Sequence, residues 1–195
     1  MLYLASQSPR RRQLLEQLGY RFQSLAVDIP EQPALDESPC QYVSRVARQK
    51  ALAGLAMVAE RNNAFVLGAD TEVVLDERIF GKPVDAHTAA GMLRSLAART
   101  HEVISVVWLI SAQQEATAVC RSLVTFGPLS EAQIGAYIET GEPCGKAGAY
   151  AIQGRGAAFV SHLSGSHSGV MGLPLYETGQ LLTRRGLKPV DPGAP

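Results

Sequence analysis

Two long β-type runs near the middle of the chain do most to limit its fold: HEVISVVWLI at 101–110 and the alternating TAVCRSLVTF at 117–126, with Gln113 and Gln114 between them. Alternation of apolar and polar residues marks a strand with one buried face, and so short a connection makes the two runs antiparallel neighbours. Helical patterns lie on both sides of this pair, so its sheet must also carry helices. At the start, LYLA (2–5) reads as a buried strand and Ser8-Pro9 as a helix start, because serine caps and proline fits the first turn. Leu14, Leu15 and Leu18 then form an apolar face that Gly19 ends.

Ser38-Pro39 repeats that start, and Val43, Val46, Ala47, Gly54 and Met57 follow at helical spacing with Lys50 on the same stripe. A lysine there should point to the packed side of its helix or to the edge of a cleft. FVLGAD (65–70) reads as a strand entering a small-residue turn, with EVVLD resuming the β pattern before a turn at Asp76-Glu77-Arg78. Asp85 caps a helix to about Ala98 that turns Met92, Leu93 and Leu96 inward, and Ser130 with Gln133 makes a capping box closed by Gly141. Glycines crowd 141–172, which reads as loop and strand, and a last helix spans about 174–185. The expectation is one α/β domain over 1–188, with a mixed sheet and two lobes around a cleft, then a disordered tail at 189–195.

Charge limits the partners. Eighteen basic residues balance eighteen acidic ones, which argues against a protein built to hold a long nucleic acid. Cys40, Cys120 and Cys144 match no zinc spacing and suit a reducing, cytoplasmic setting. No apolar stretch reaches the roughly 18 residues of a membrane span, and the four histidines read as surface residues.

Against that neutral background, SQSPRRR offers hydroxyls, helix N-terminal N–H groups and guanidinium forks, all suited to phosphate oxygens. The same arginines would equally serve as a solvated cluster, although positive charge in a first helical turn opposes the helix dipole unless an anion is bound. Asp70 in GADT could ligate a divalent cation or take a proton from water, yet aspartates also sit in turns for backbone reasons. Lys50 and Lys82 are point charges of the kind that hold polyphosphates, and Glu31 is a further candidate metal carboxylate.

Taken together, LASQSPRRRQLL, GADTEVVLD, GKP, GKAGAYAIQGRGAAFV and SGSHSGVMGLPLYET resemble the ordered motifs of the Maf family of nucleoside triphosphate pyrophosphatases, from Leu4 to about Leu182. The resemblance implies a Maf-like, inosine triphosphatase-like fold with a bent mixed sheet, often in a homodimer. It also implies hydrolysis of a nucleoside triphosphate at the α-phosphorus with a divalent cation such as Mg²⁺ or Mn²⁺. On this reading Asp70 is the proton acceptor and a metal ligand, and Glu31 lies near the metal. Ser8, Arg11, Lys50 and Lys82 line the phosphates. Arg10, Thr71 and Gln153 match the positions tied to base choice, in the combination of the dTTP/UTP branch rather than the 7-methyl-GTP branch. An amide such as Gln153 can donate to a pyrimidine carbonyl and accept from its ring N–H. His167 and Met171 depart from the family's usual tyrosine and valine. A regulatory nucleotide-binding role in septum formation is the alternative from outside enzymology.

Overall fold

A computed structural model describes residues 1–61 and 63–190. Its centre is one mixed sheet in the order β2-β1-β3-β5-β6-β7, with β4 pairing β3 off that path. The strands are β1 (Leu2–Ala5), β2 (Phe22–Leu25), β3 (Phe65–Leu75), β4 (Arg78–Phe80), β5 (Thr100–Ile110), β6 (Glu115–Phe126) and β7 (Val160–Ser164). β1 runs parallel to both β2 and β3, whereas the β3–β5, β5–β6 and β6–β7 pairs are antiparallel. The helices are α1 (Pro9–Gln17), α2 (Pro39–Met57), α3 (Ala86–Leu96), α4 (Glu131–Glu139), α5 (His167–Met171) and α6 (Leu175–Arg184).

The capping chemistry legible in the sequence is in place. Ser8 and Ser38 cap α1 and α2 with proline in each first turn, and Asp85 caps α3. Ser130 and Gln133 form the reciprocal box at α4, and Ser38 and Gln41 form another at α2. Asp76 and Glu77 both take positive φ in the tight turn from β3 to β4.

Four expectations need correction. GADT is not a turn: β3 runs unbroken through it, paired along its length with β5. Its small residues serve another purpose, because a Cβ on Gly68 would meet the backbone of α2, at Ala47 O and at Ala51 N 2.6 Å away. Glycine here lets helix and strand backbones approach closely. Met57 ends the α2 stripe exposed rather than buried. The stretch 141–172 contains the short helix α5 as well as loop and β7. His101 is not a surface residue but only 1% exposed, held by Tyr150 Oη at 2.9 Å from Nε2. Of the tail, Val190 N–H donates to Gly19 O at 2.7 Å, and 191–195 lie outside the described residues.

One break in the ladder prepares a site. β1 pairs with β3 only as far as Gly68, and β4 begins pairing at Val73. Residues 69–72 therefore have no strand neighbour on the edge of β3 away from β5. The N-terminus of α1, which follows directly from β1, faces this gap.

Gly68→Ala drives a methyl into the backbone of α2 and should cost about 3 kcal/mol or more of unfolding free energy, read from the urea midpoint. Burial lowers the His101 pKa from 6.5 to about 4, so the folded state holds the ring neutral while the unfolded chain protonates it. Stability from this group is therefore complete above about pH 6.5 and is lost as pH falls towards 4, by up to about 3 kcal/mol at roughly 1.4 kcal/mol per pH unit. His101→Gln should flatten that part of the pH–stability curve.

Candidate functional site

A cavity of about 840 Å³ opens at the break in the ladder. Ser8, Arg10, Arg11, Glu31, Lys50, Asp70, Thr71, Lys82 and Gln153, the residues singled out in the sequence, all line it. They come from α1, the loop before α2, α2 itself, β3, the segment after β4 and the loop after α4, so only the folded chain assembles them.

Strand alternation sorts the β3 side chains. Asp70 and Glu72 fall on the face of β3 that packs against α2, where Gly68 and Val74 also lie. Thr71 faces the other way, and its Oγ1 is 2.7 Å from Ser105 Oγ. Because Gly68 lets α2 settle on the strand, Lys50 arrives beside Asp70, its Nζ donating to Oδ1 at 2.7 Å. Both are buried, Lys50 at 8% and Asp70 at 5% exposure.

The same ammonium donates to Glu31 Oε1 at 2.6 Å, and Lys82 Nζ donates to Glu31 Oε2 at 2.5 Å. A carboxylate thus bridges two lysines across the cavity. Burial works to raise the Glu31 pKa, but the hydrogen bonds and charges of Lys50 and Lys82 outweigh it and bring it down to about 2.

The three arginines of the opening run separate cleanly. Arg11 is anchored by Nε donating to Gly172 O at 2.8 Å, and its guanidinium reaches within 4.0 Å of Asp70. Arg10 is half-buried with an Nε that has no partner, and burial together with the Arg11 charge lowers its pKa. Arg12 faces solvent and pairs with Glu16 one turn on, which makes it the solvated member of the cluster.

The far wall is the loop after α4. Glu142 accepts from Arg155 N and Gly156 N at 2.9 and 3.0 Å, and from Tyr137 Oη at 2.8 Å. Gly148, at φ 68°, lies where a Cβ would meet Val73, so the loop presses onto β3. Gln153 stands exposed on this loop, and Lys146 and Tyr150 join it in the wall. Lys146 escaped the sequence reading; its only signal was a lysine among glycines in GKAGAY.

Glu72 escaped it too. It is 6% exposed and lines the cavity, and burial followed by the negative charges of Asp70 and Glu31 pushes its pKa up to about 8. Once 65–75 is one strand, spacing by two puts it beside Asp70; reading GADT as a turn hid that relation.

Would these residues suit a divalent cation? Asp70 Oδ2 and Glu72 Oε2 are buried acceptors without a hydrogen-bond partner, and unpaired carboxylate oxygen is what a hard cation takes. Among the described residues no three Asp, Glu, His or Cys side chains cluster tightly enough to cage an ion alone. The donor set fits Mg²⁺ or Mn²⁺ of the kind held by one or two carboxylates and completed by substrate phosphates.

A cavity lined by arginines and lysines at a break in a mixed sheet, with buried acid at its floor, defines an α/β protein fitted for polyphosphate ligands. The chain belongs to the family described as Maf-like protein, whose model matches residues 1–185. It is 62% identical over 188 residues to the dTTP/UTP pyrophosphatase of Xanthomonas euvesicatoria pv. vesicatoria (strain 85-10), covering 95% of this chain and 99% of that protein. To the nucleoside triphosphate pyrophosphatase of Xylella fastidiosa (strain 9a5c) it is 57% identical over 184 residues, covering 94% and 97%. Among solved structures, the Staphylococcus aureus Ham1 protein aligns over 64% of this chain and 70% of its own at 12% identity, with a TM-score of 0.41, a likeness too slight to add to the assignment. No helix among the described residues is long and apolar enough to cross a membrane.

Lys50 is the buried cation on which two carboxylates, Asp70 and Glu31, converge. Lys50→Met should cost about 3–5 kcal/mol by leaving acid buried without its partner. Lys50→Met combined with Asp70→Asn should recover part of that loss in a double-mutant cycle of urea midpoints.

Proposed function

We propose that this chain hydrolyses dTTP and UTP at the α-phosphorus, releasing the nucleoside monophosphate and pyrophosphate. The observation that carries this reading is the juxtaposition, in one cavity, of Asp70 with Arg11, Lys50 and Lys82. The names of its relatives, alike over nearly their whole length, support it.

Substrate phosphates compete with Glu31 for the ammonium groups of Lys50 and Lys82, while Ser8 and Arg11 at the start of α1 bind oxygens from the other side. This positions the triphosphate and neutralises charge on the departing pyrophosphate. Asp70 accepts a proton from water as the water oxygen bonds to the α-phosphorus. The bond from that phosphorus to the bridging oxygen breaks, and pyrophosphate leaves with the electron pair. A divalent cation, held by Asp70, supplies further neutralisation of the phosphate oxygens when bound. Glu31, expected beside that ion from the sequence, has both oxygens engaged by lysines in the free protein.

Arg10, Thr71 and Gln153 select the base. The Gln153 amide, exposed on the far wall, pairs with the carbonyl and ring N–H of uracil or thymine. Arg10, with an unpartnered Nε, supplies donors beside it.

Incubation of the pure protein with a panel of nucleoside triphosphates and Mg²⁺ or Mn²⁺ tests the reading. Pyrophosphate should appear, fastest from dTTP and UTP. Release of orthophosphate, preference for 7-methyl-GTP, or no turnover would refute it. Asp70→Asn should lower kcat by about 10²–10⁴-fold while UTP binding persists in calorimetry.

A further inference from the structure

We propose that Glu72 is the second carboxylate ligand of the divalent cation, completing with Asp70 a two-carboxylate site on one face of β3. The proposal rests on the triphosphate reading above and assigns a residue that the sequence motifs left without a role.

Placement comes first. Residues 70 and 72 are two apart in an unbroken strand, so both side chains leave the same face. Both line the cavity, in the segment that neither β1 nor β4 covers.

The pattern of partners points the same way. Lys50 occupies Asp70 Oδ1 and leaves Oδ2 without a hydrogen bond. Glu72 Oε2 is buried and unpartnered as well, on a residue 6% exposed. A glutamate kept in such a place for packing alone would bring its own donor, an arginine fork or backbone N–H groups. Glu31 is the contrasting case, since each of its oxygens already accepts from a lysine. Of the three carboxylates, Asp70 and Glu72 thus hold the free oxygens, while Glu31 acts as an anion for the lysines. Two carboxylates with the remaining positions left to phosphate and water is the arrangement Mg²⁺ favours. It also agrees with the absence of a three-ligand cluster among the described residues.

Mn²⁺ binding, followed by the electron paramagnetic resonance of free Mn²⁺, tests this directly, with Mn²⁺ alone and with the non-hydrolysable α,β-imido-UTP. Glu72→Gln should weaken Mn²⁺ binding at least about tenfold and leave binding of the analogue without metal unchanged. Glu31→Gln should retain Mn²⁺ affinity and alter metal-free binding of the analogue. Mn²⁺ should raise the Tm of the unaltered protein and not that of Glu72→Gln. Unchanged Mn²⁺ affinity in Glu72→Gln, or loss in Glu31→Gln alone, overturns the proposal. If Glu72→Gln fails to fold, Glu72→Asp, which withdraws the carboxylate by one methylene, should bind Mn²⁺ more weakly, and equal affinity there overturns it. Pyrophosphate release by the unaltered protein with no Mn²⁺ defect in Glu72→Gln refutes this ligand and spares the hydrolase reading. Glu72-dependent Mn²⁺ binding without turnover of any triphosphate does the reverse.

Discussion

The close approach of α2 to β3 governs everything around the cavity. At Gly68 the helix backbone lies where a side chain would otherwise stand, and this contact brings the Lys50 ammonium against Asp70 away from water. An ion pair in such a place is costly to desolvate, and it holds only because its geometry is fixed by a packed helix and strand. Val43, Val46 and Ala47 of α2 pack with Val74, Ile104 and Val106 of β3 and β5 to fix it. The charged centre is thus supported by an apolar layer on the same helix face, one turn away.

Local chemistry was the readable part of the sequence. Serine, proline and aspartate announced the helix starts because capping depends on neighbours within one turn. The Lys50 stripe was legible for the same reason, and the long β5–β6 pair followed from its alternation. What failed depended on distant neighbours. The glycine and alanine of GADT have the composition of a turn, and only the arrival of α2 shows that they make room for a helix. β2, with the sequence FQSL, has no strong pattern of its own and exists as a strand because β1 offers it an edge. His101 sits in a polar-looking start to its strand, yet the rings of Phe126 and Tyr150 pack against it edge-on.

The site shows the same division. The motifs pointed to nine residues that fold into one cavity, although their separation in sequence gave no distances. Glu72 was lost through a single error of local structure: a turn at 68–71 would have pointed it elsewhere. Glu31 was recognised as acidic and near the site, but its bridging of Lys50 and Lys82 depends on three separate segments meeting. The arginine run sorted itself by exposure, with Arg11 anchored, Arg10 half-buried and Arg12 solvated.

The lysine–glutamate–lysine bridge makes the resting cleft its own salt. Lys50 and Lys82 are compensated before any ligand arrives, and the chain as a whole carries no net charge. Such a cleft exerts little pull on a passing polyanion at a distance, since fields that cancel locally fall away quickly. A ligand gains entry by exchange at contact range, where it must offer enough negative charge to both lysines at once. That requirement favours a chain of several phosphates over a single one, and it leaves Glu31 ready to reclaim both lysines when the longer anion departs.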